Sequence, residues 1–93
     1  MQILAEDNAM VSDEVVRDIL RQNEAMSNLV DTLGEDDDLF EKGLDSFGSV
    51  QLMLALEERF NVEFPDSLLN RRSFSTIRII RETVTSLTLG EAA

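Results

Sequence analysis

Cysteine, histidine, tryptophan and tyrosine are all missing from this chain of 93 residues. Without histidine there is no imidazole for acid–base chemistry, and without cysteine there is no thiol nucleophile. The usual nitrogen and sulfur ligands of zinc are absent with them. The lack of cysteine also removes any reading of redox compartment. No apolar stretch approaches the ~20 residues needed to span a bilayer. The amino terminus has no charged segment followed by a long apolar run, so no signal peptide is expected and the cytoplasm is the expected compartment. A chain of this length makes one domain with a limited core and little room for a catalytic cleft.

Acidic residues are what it has in excess. Nineteen Asp and Glu face eight Lys and Arg, for a formal net charge of −11. Such a charge repels nucleic acid phosphates and anionic membrane surfaces. It attracts basic protein partners, and it serves solubility equally well with no partner at all. Both uses of the charge stay open at this point.

Residues 1–11 read as a weakly patterned leader. Ser12 is a helix N-cap type, with Asp13 and Glu14 placed to favour the positive end of a helix. Val15, Val16, Ile19 and Leu20 follow at helical spacing, which predicts a helix from about Asp13 to Asn23. Asn23 to Asn28 interrupts the pattern, and Met26, Leu29, Val30 and Leu33 resume it as a continuation or second turn. A loop is expected from Gly34 to Asp45, with Leu39 and Phe40 as apolar anchors. Pro65 disfavours helix at the residue before it and suits the start of a short turn through Leu69, ended by Asn70, Arg71 and Arg72. A last helix, capped by Ser73 or Ser75, is expected from Ile77, Ile80, Val84 and Leu87. Its β-branched content is high for a helix, but a strand's period of two fits it less well. Residues 89–93 read as a loose tail.

The stretch from Leu39 to Phe60 organises the rest. Gly43 supplies a bend where φ can be positive. Asp45 and Ser46 are both cap types, and a helix is expected from Ser46 to Phe60. Its apolar residues cover roughly 220° of the helix, against the ~100° stripe of an ordinary surface helix. One face can pack on a core while the remainder must meet other helices or a partner. Ser46 lacks any base to make it a nucleophile, so it reads as a substrate for modification rather than a catalyst. The plainer alternative is that it only caps the helix. A phosphodiester at that position would meet unpaired N–H groups and the positive end of the helix dipole.

Gly43-Leu44-Asp45-Ser46-Phe47 resembles the G-x-D-S-[L/M/F] signature of acyl carrier proteins. The continuation through Gly48, Ser49 and Val50 is most similar to D-alanyl and stand-alone aminoacyl carrier proteins. The resemblance spans about Val15 to Leu87. It implies an all-α fold: a small antiparallel four-helix bundle with three longer helices and one short, forming a carrier domain over residues 12–88. It implies 4'-phosphopantetheine, taken from coenzyme A, on Ser46, with Asp45 beside the modifying enzyme's metal. The thiol of that arm holds an acyl group as a thioester, and the protein itself catalyses nothing. Implied partners are a phosphopantetheinyl transferase and an adenylating amino acid:carrier protein ligase. Nucleic acid and membrane insertion are not expected, and the chain is expected to be a monomer.

Phe47, Val50 and Leu54 are expected docking contacts on the edge of the apolar arc, with core packing the alternative for Val50. Gly48 is expected either to let the arm or a loading enzyme approach or to be an incidental weak spot in the helix. Fatty-acid carriers usually place acid where this chain has Gly48 and Gln51, which favours aminoacyl cargo. Arg71, Arg72 and Phe74 partly match the basic and aromatic stretch of D-alanyl carriers, and Arg71, Phe74 and Gln51 join the expected docking residues. The alternatives are a fatty-acid or polyketide carrier, or an acidic adaptor that is never modified.

The acidic run from Glu35 to Asp38 invites comparison with a calcium loop. An EF-hand needs glycine at its sixth position and glutamate at its twelfth; counting from Asp36, those are Glu41 and Phe47. A calorimetric titration with calcium is therefore expected to show no tight stoichiometric binding, and a saturable site in the micromolar range or below would contradict the assignment.

Overall fold

The computed structural model describes residues 11–90. Three α-helices form the bundle: α1 (Asp13–Arg21), α2 (Ser46–Phe60) and α3 (Ile77–Thr88). Three short 3₁₀ segments, Val30–Thr32, Asp66–Leu68 and Arg71–Phe74, take up the connections. The helices pack pairwise, α1 against both α2 and α3, and α2 against α3. The expected leader, residues 1–10, lies outside the described residues, as do residues 91–93 of the tail. Val11 was placed with the leader by sequence, yet it is buried within the core.

Ser12 caps α1: its Oγ accepts a hydrogen bond from the Val15 N–H at 3.2 Å. Val16, Ile19 and Leu20 are buried. The helix stops at Arg21, two residues before the expected end, because the chain must turn to bring Met26 and Val30 into the same core. Arg17 holds that turn. Its guanidinium donates to the carbonyls of Val30 (3.0 Å) and Leu33 (2.8 Å) and to the Asp13 carboxylate (3.0 Å). What read as a helical continuation is a series of turns ending in a single 3₁₀ segment.

The loop from Gly34 to Asp45 is drawn onto the bundle by its interior. Leu39 is fully buried, and its N–H donates to the Ser75 carbonyl at 2.8 Å. The four acids from Glu35 to Asp38 each bond within the chain. Asp37 accepts from Gly34 N–H, and Asp38 from the N–H groups of Phe40 and Glu41. Glu35 and Asp36 pair with Arg78 on α3, at 3.0 and 2.7 Å, and Arg81 lies 3.5 Å from Glu35. Together with the Arg78 N–H bonded to the Glu35 carbonyl (3.0 Å), these contacts staple the loop to the start of α3.

Helix α2 occupies the interval expected from its pattern. It ends where Asn61 adopts the left-handed conformation (φ 55°), which asparagine tolerates better than most residues. Leu52 and Leu56 are fully buried. Beyond it, the Glu57 carboxylate accepts from the Phe64 N–H at 2.9 Å, and the Phe64 ring meets Phe74 at 5.2 Å. Asn70, Arg71 and Arg72 do not end the preceding turn. Asn70 Oδ1 accepts from Ser73 N–H at 3.0 Å and so caps a new 3₁₀ segment that Arg71 begins. This is the ordinary competition of an asparagine side chain for a nearby backbone donor. The cap of α3 is Thr76, whose Oγ1 accepts from Ile79 N–H at 3.0 Å, rather than either serine. Ile77, Ile80 and Val84 are buried along one face of α3, with Leu87 packed beside them, so burial outweighs the poor helix propensity of β-branched residues. Among the described residues no helix is long and apolar enough to cross a membrane.

The Arg78 hydrogen bond holds the Asp36 carboxyl below its ordinary value. A depressed carboxylate adds stability above its unfolded pKa and loses it as pH falls through the folded one. Urea unfolding is therefore expected to show a midpoint that drops as pH falls below the ordinary carboxylate range. In Arg78→Gln that part of the acid sensitivity is expected to shrink, and an unchanged pH profile would remove the ion pair from the account.

Candidate functional site

The start of α2 is built by three neighbours. Gly43 turns the chain with φ 126°, a conformation that disfavours a side chain. Leu44 plugs into the core at 3% exposure, and its N–H bonds to the Leu39 carbonyl at 2.9 Å. Asp45 is then the N-cap, its carboxylate accepting from Gly48 N–H at 2.7 Å. Ser46 follows as the first residue of the helix and is exposed. The cap reading of Ser46 thus passes to Asp45, and the Ser46 hydroxyl is bonded to none of the described residues. With Gly48 N–H bound to Asp45, and Ser49 N–H bonded to the Asp45 carbonyl at 2.8 Å, the N–H groups of Ser46 and Phe47 are left without a partner among the described residues.

Gly48 faces inward and is buried, which corrects its place among the docking residues. A Cβ there would lie 3.0 Å from both Asp45 Oδ1 and Leu44 Cδ1. The glycine thus answers to the packing beneath the helix. Its carbonyl accepts a hydrogen bond at 2.9 Å from the side chain of Asn23, which is itself buried at the end of α1. Asn23 Oδ1 in turn accepts from Ala25 N–H at 3.0 Å. Asn23 was not singled out from the sequence, where it read only as a break in the apolar pattern.

The outer face of α2 is apolar and uncharged. Phe47 is 69% exposed, Val50 51% and Leu54 54%, so the core alternative for Val50 is excluded. Gln51 is exposed beside them. No charged residue occurs between Ser46 and Leu56. On the other flank of Ser46 lies a groove of about 380 Å³, bounded by Ser46, Ser49, Val50 and Met53 on one side and by Leu69 to Arg71 and Phe74 on the other. Phe74 is 5% exposed and lines this groove from below. Arg71 is exposed at its rim, and its guanidinium carbon lies 4.2 Å over the ring of Phe40. Arg72 is exposed but does not border the groove.

Residues 14–80 match the family described as phosphopantetheine attachment site. The chain belongs to this family. Its members carry the phosphopantetheine arm and are carriers rather than catalysts. An aminoacyl carrier protein of Agrobacterium fabrum is 47% identical over 78 residues, covering 84% of this chain and 94% of that protein. A D-alanyl carrier protein of Leuconostoc citreum is 45% identical over 53 residues, covering 56% and 68%. A carrier protein from Agrobacterium tumefaciens, solved in complex with an engineered Bradyrhizobium japonicum glycine:[carrier protein] ligase and ATP, is similar in structure. It has a TM-score of 0.73 at 49% identity, covering 77% of this chain and 94% of that one. The all-helical, carrier-type fold implied by the sequence is therefore the observed one, and this carrier chain matches aminoacyl and D-alanyl relatives alike.

The local geometry fits a phosphodiester at Ser46: an unengaged hydroxyl, two free N–H groups and the positive end of a fifteen-residue helix. The arm supplies the thiol that this chain lacks. Ser46→Ala is expected to fold with stability close to that of the parent, since the hydroxyl caps nothing. Asp45→Ala is expected to lose about 1 kcal/mol with the cap. Urea titrations of both variants check the ranking, and a larger loss for Ser46→Ala would reassign the cap.

Proposed function

We propose that the chain is an aminoacyl carrier in which 4'-phosphopantetheine on Ser46 holds a small amino acid as a thioester, loaded by an adenylating ligase that docks on Phe47, Val50 and Leu54. The observation that carries this reading is the exposed, uncharged apolar strip directly beyond the attachment serine. Apolar contacts in the centre of an interface supply most of its energy. A fatty-acid partner that reads an acidic helix would find no acid on this face before Glu57. The similar carrier solved with a glycine:[carrier protein] ligase supports the same class of partner and makes glycine the first cargo to test.

Asp45 caps the helix beside the serine and remains exposed, so it can also serve the modifying transferase's metal. A small amino acid gains little from apolar burial, and its charged amino group would pay desolvation inside the bundle. The cargo is therefore carried outside the core, in the compartment where ATP and coenzyme A are found, which we take to be the cytoplasm.

The holo form, made with a phosphopantetheinyl transferase, is expected to gain the arm's mass on Ser46 and none in Ser46→Ala. With ATP and a glycine:[carrier protein] ligase it is expected to gain a glycyl group. Charging by a fatty acyl synthetase, with no charging by any aminoacyl ligase, would overturn the reading. Val50→Asp places a charge in the strip and is expected to depress loading at least tenfold while leaving the circular dichroism spectrum unchanged, a cost of about 1.4 kcal/mol or more at the interface.

A further inference from the structure

Attaching the arm adds a negative phosphodiester to a chain that already carries a net −11. A cation near Ser46 would add a charge-assisted contact to the free N–H groups and the helix dipole already facing that charge, and most of the arginines are committed elsewhere. Arg17 and Arg21 pair with acids of α1 and its following turn, and Arg78 and Arg81 with the acidic loop. Among the described residues, Lys42, Arg59, Arg71 and Arg72 have no carboxylate within salt-bridge distance. Of these four, only Arg71 borders the groove that Ser46 also borders.

Arg71 is also held in place. Its guanidinium sits 4.2 Å above the Phe40 ring, a stacking that restrains the side chain while leaving its donors free for a phosphate. The groove beneath it suits the rest of the arm. Its volume falls in the ~300–1,000 Å³ range of small-ligand sites. Met53, Leu69 and Phe74 give it an apolar lining for the geminal methyls of pantetheine. The Ser49 hydroxyl donates to the Ser46 carbonyl at 2.8 Å, which leaves its lone pairs to accept from an arm amide.

We propose that Arg71, seated on Phe40, is the counter-ion of the Ser46 phosphodiester and turns the unloaded arm into the groove between α2 and the segment from Leu69 to Phe74. Of the docking strip, Val50 borders this groove while Phe47 and Leu54 do not. Phe47 and Leu54 can therefore stay open to a ligase while the arm is parked against Val50, and a ligase would compete with Arg71 for the phosphate as it draws the thiol away. Arg71 is a positioning residue in this scheme and touches no reacting atom. The proposal rests on Ser46 bearing the arm.

The test is nitrogen-15 NMR on apo and holo forms of the parent, Arg71→Gln, Arg71→Lys and Phe40→Leu, with the arm confirmed by intact mass. The expected result is a shift of the Arg71 Nε–Hε signal on arm attachment and nuclear Overhauser contacts from the arm methyls to Phe74 and Met53. Those contacts are expected to vanish in Arg71→Gln, to weaken in Phe40→Leu, and to survive in part in Arg71→Lys, with the amide fingerprint of the fold retained in all. Arm attachment with no change at Arg71 and no methyl contacts overturns this proposal and leaves the carrier reading standing. Contacts that persist undiminished in Arg71→Gln overturn the counter-ion role. Failure of the arm to attach to Ser46 overturns both readings, and the mass spectrum tells that case from the others.

Discussion

The buried amide of Asn23 reaching the Gly48 carbonyl is the contact on which the site depends. It ties the end of α1 to the first turn of α2 across 25 residues of sequence. That turn must be fixed, because it carries the serine, yet its outer side must stay uncovered. Fixing it from below resolves the conflict. Gly48 makes room, Leu44 plugs the core and Asp45 closes the cap, all on the inner or N-terminal side. An amide that lost its partner here would leave the Gly48 and Asn23 polar groups short of hydrogen bonds in an apolar setting, at about 1–3 kcal/mol for each group left unsatisfied.

Helix α2 is apolar on two sides for two different reasons. Leu52 and Leu56 face the core and are fully buried. Removing either to alanine would cost the ~2–5 kcal/mol typical of a core leucine. Phe47, Val50 and Leu54 face water and contribute nothing comparable to folding. A helix that served only the fold would place polar residues there. The expense of leaving three large apolar side chains in water is small for each, and it becomes useful only if something else covers them.

Much of this was legible in the sequence because it is local. The bounds of α2 follow from a glycine bend, a cap and an apolar helical pattern, and the helical periodicity along the chain agrees with the all-α fold that the family resemblance implies. The details that escaped depend on partners distant in the chain. Asn23 looks like a helix break until its amide is seen to reach Gly48. Thr76 could not be preferred over Ser73 or Ser75 as a cap, since Ser73 is buried beside Asn70 and the Ser75 carbonyl is engaged by Leu39. Gly48 was judged by its helix, although the atoms that require it belong to Leu44 and Asp45 beneath it. Arg71 could be flagged as basic, but its perch on Phe40 joins residues 31 positions apart.

The exposed strip also gives the acidic composition another meaning. Each copy of the chain displays three adjoining apolar side chains, the kind of patch through which proteins stick to themselves. Each copy also carries the same large negative charge. Like charge makes two copies repel at distances of about a Debye length, before their strips can meet. A partner of opposite or neutral field meets no such barrier. The surplus of carboxylates thereby works against contact between copies of the strip while leaving it open to a partner of opposite charge.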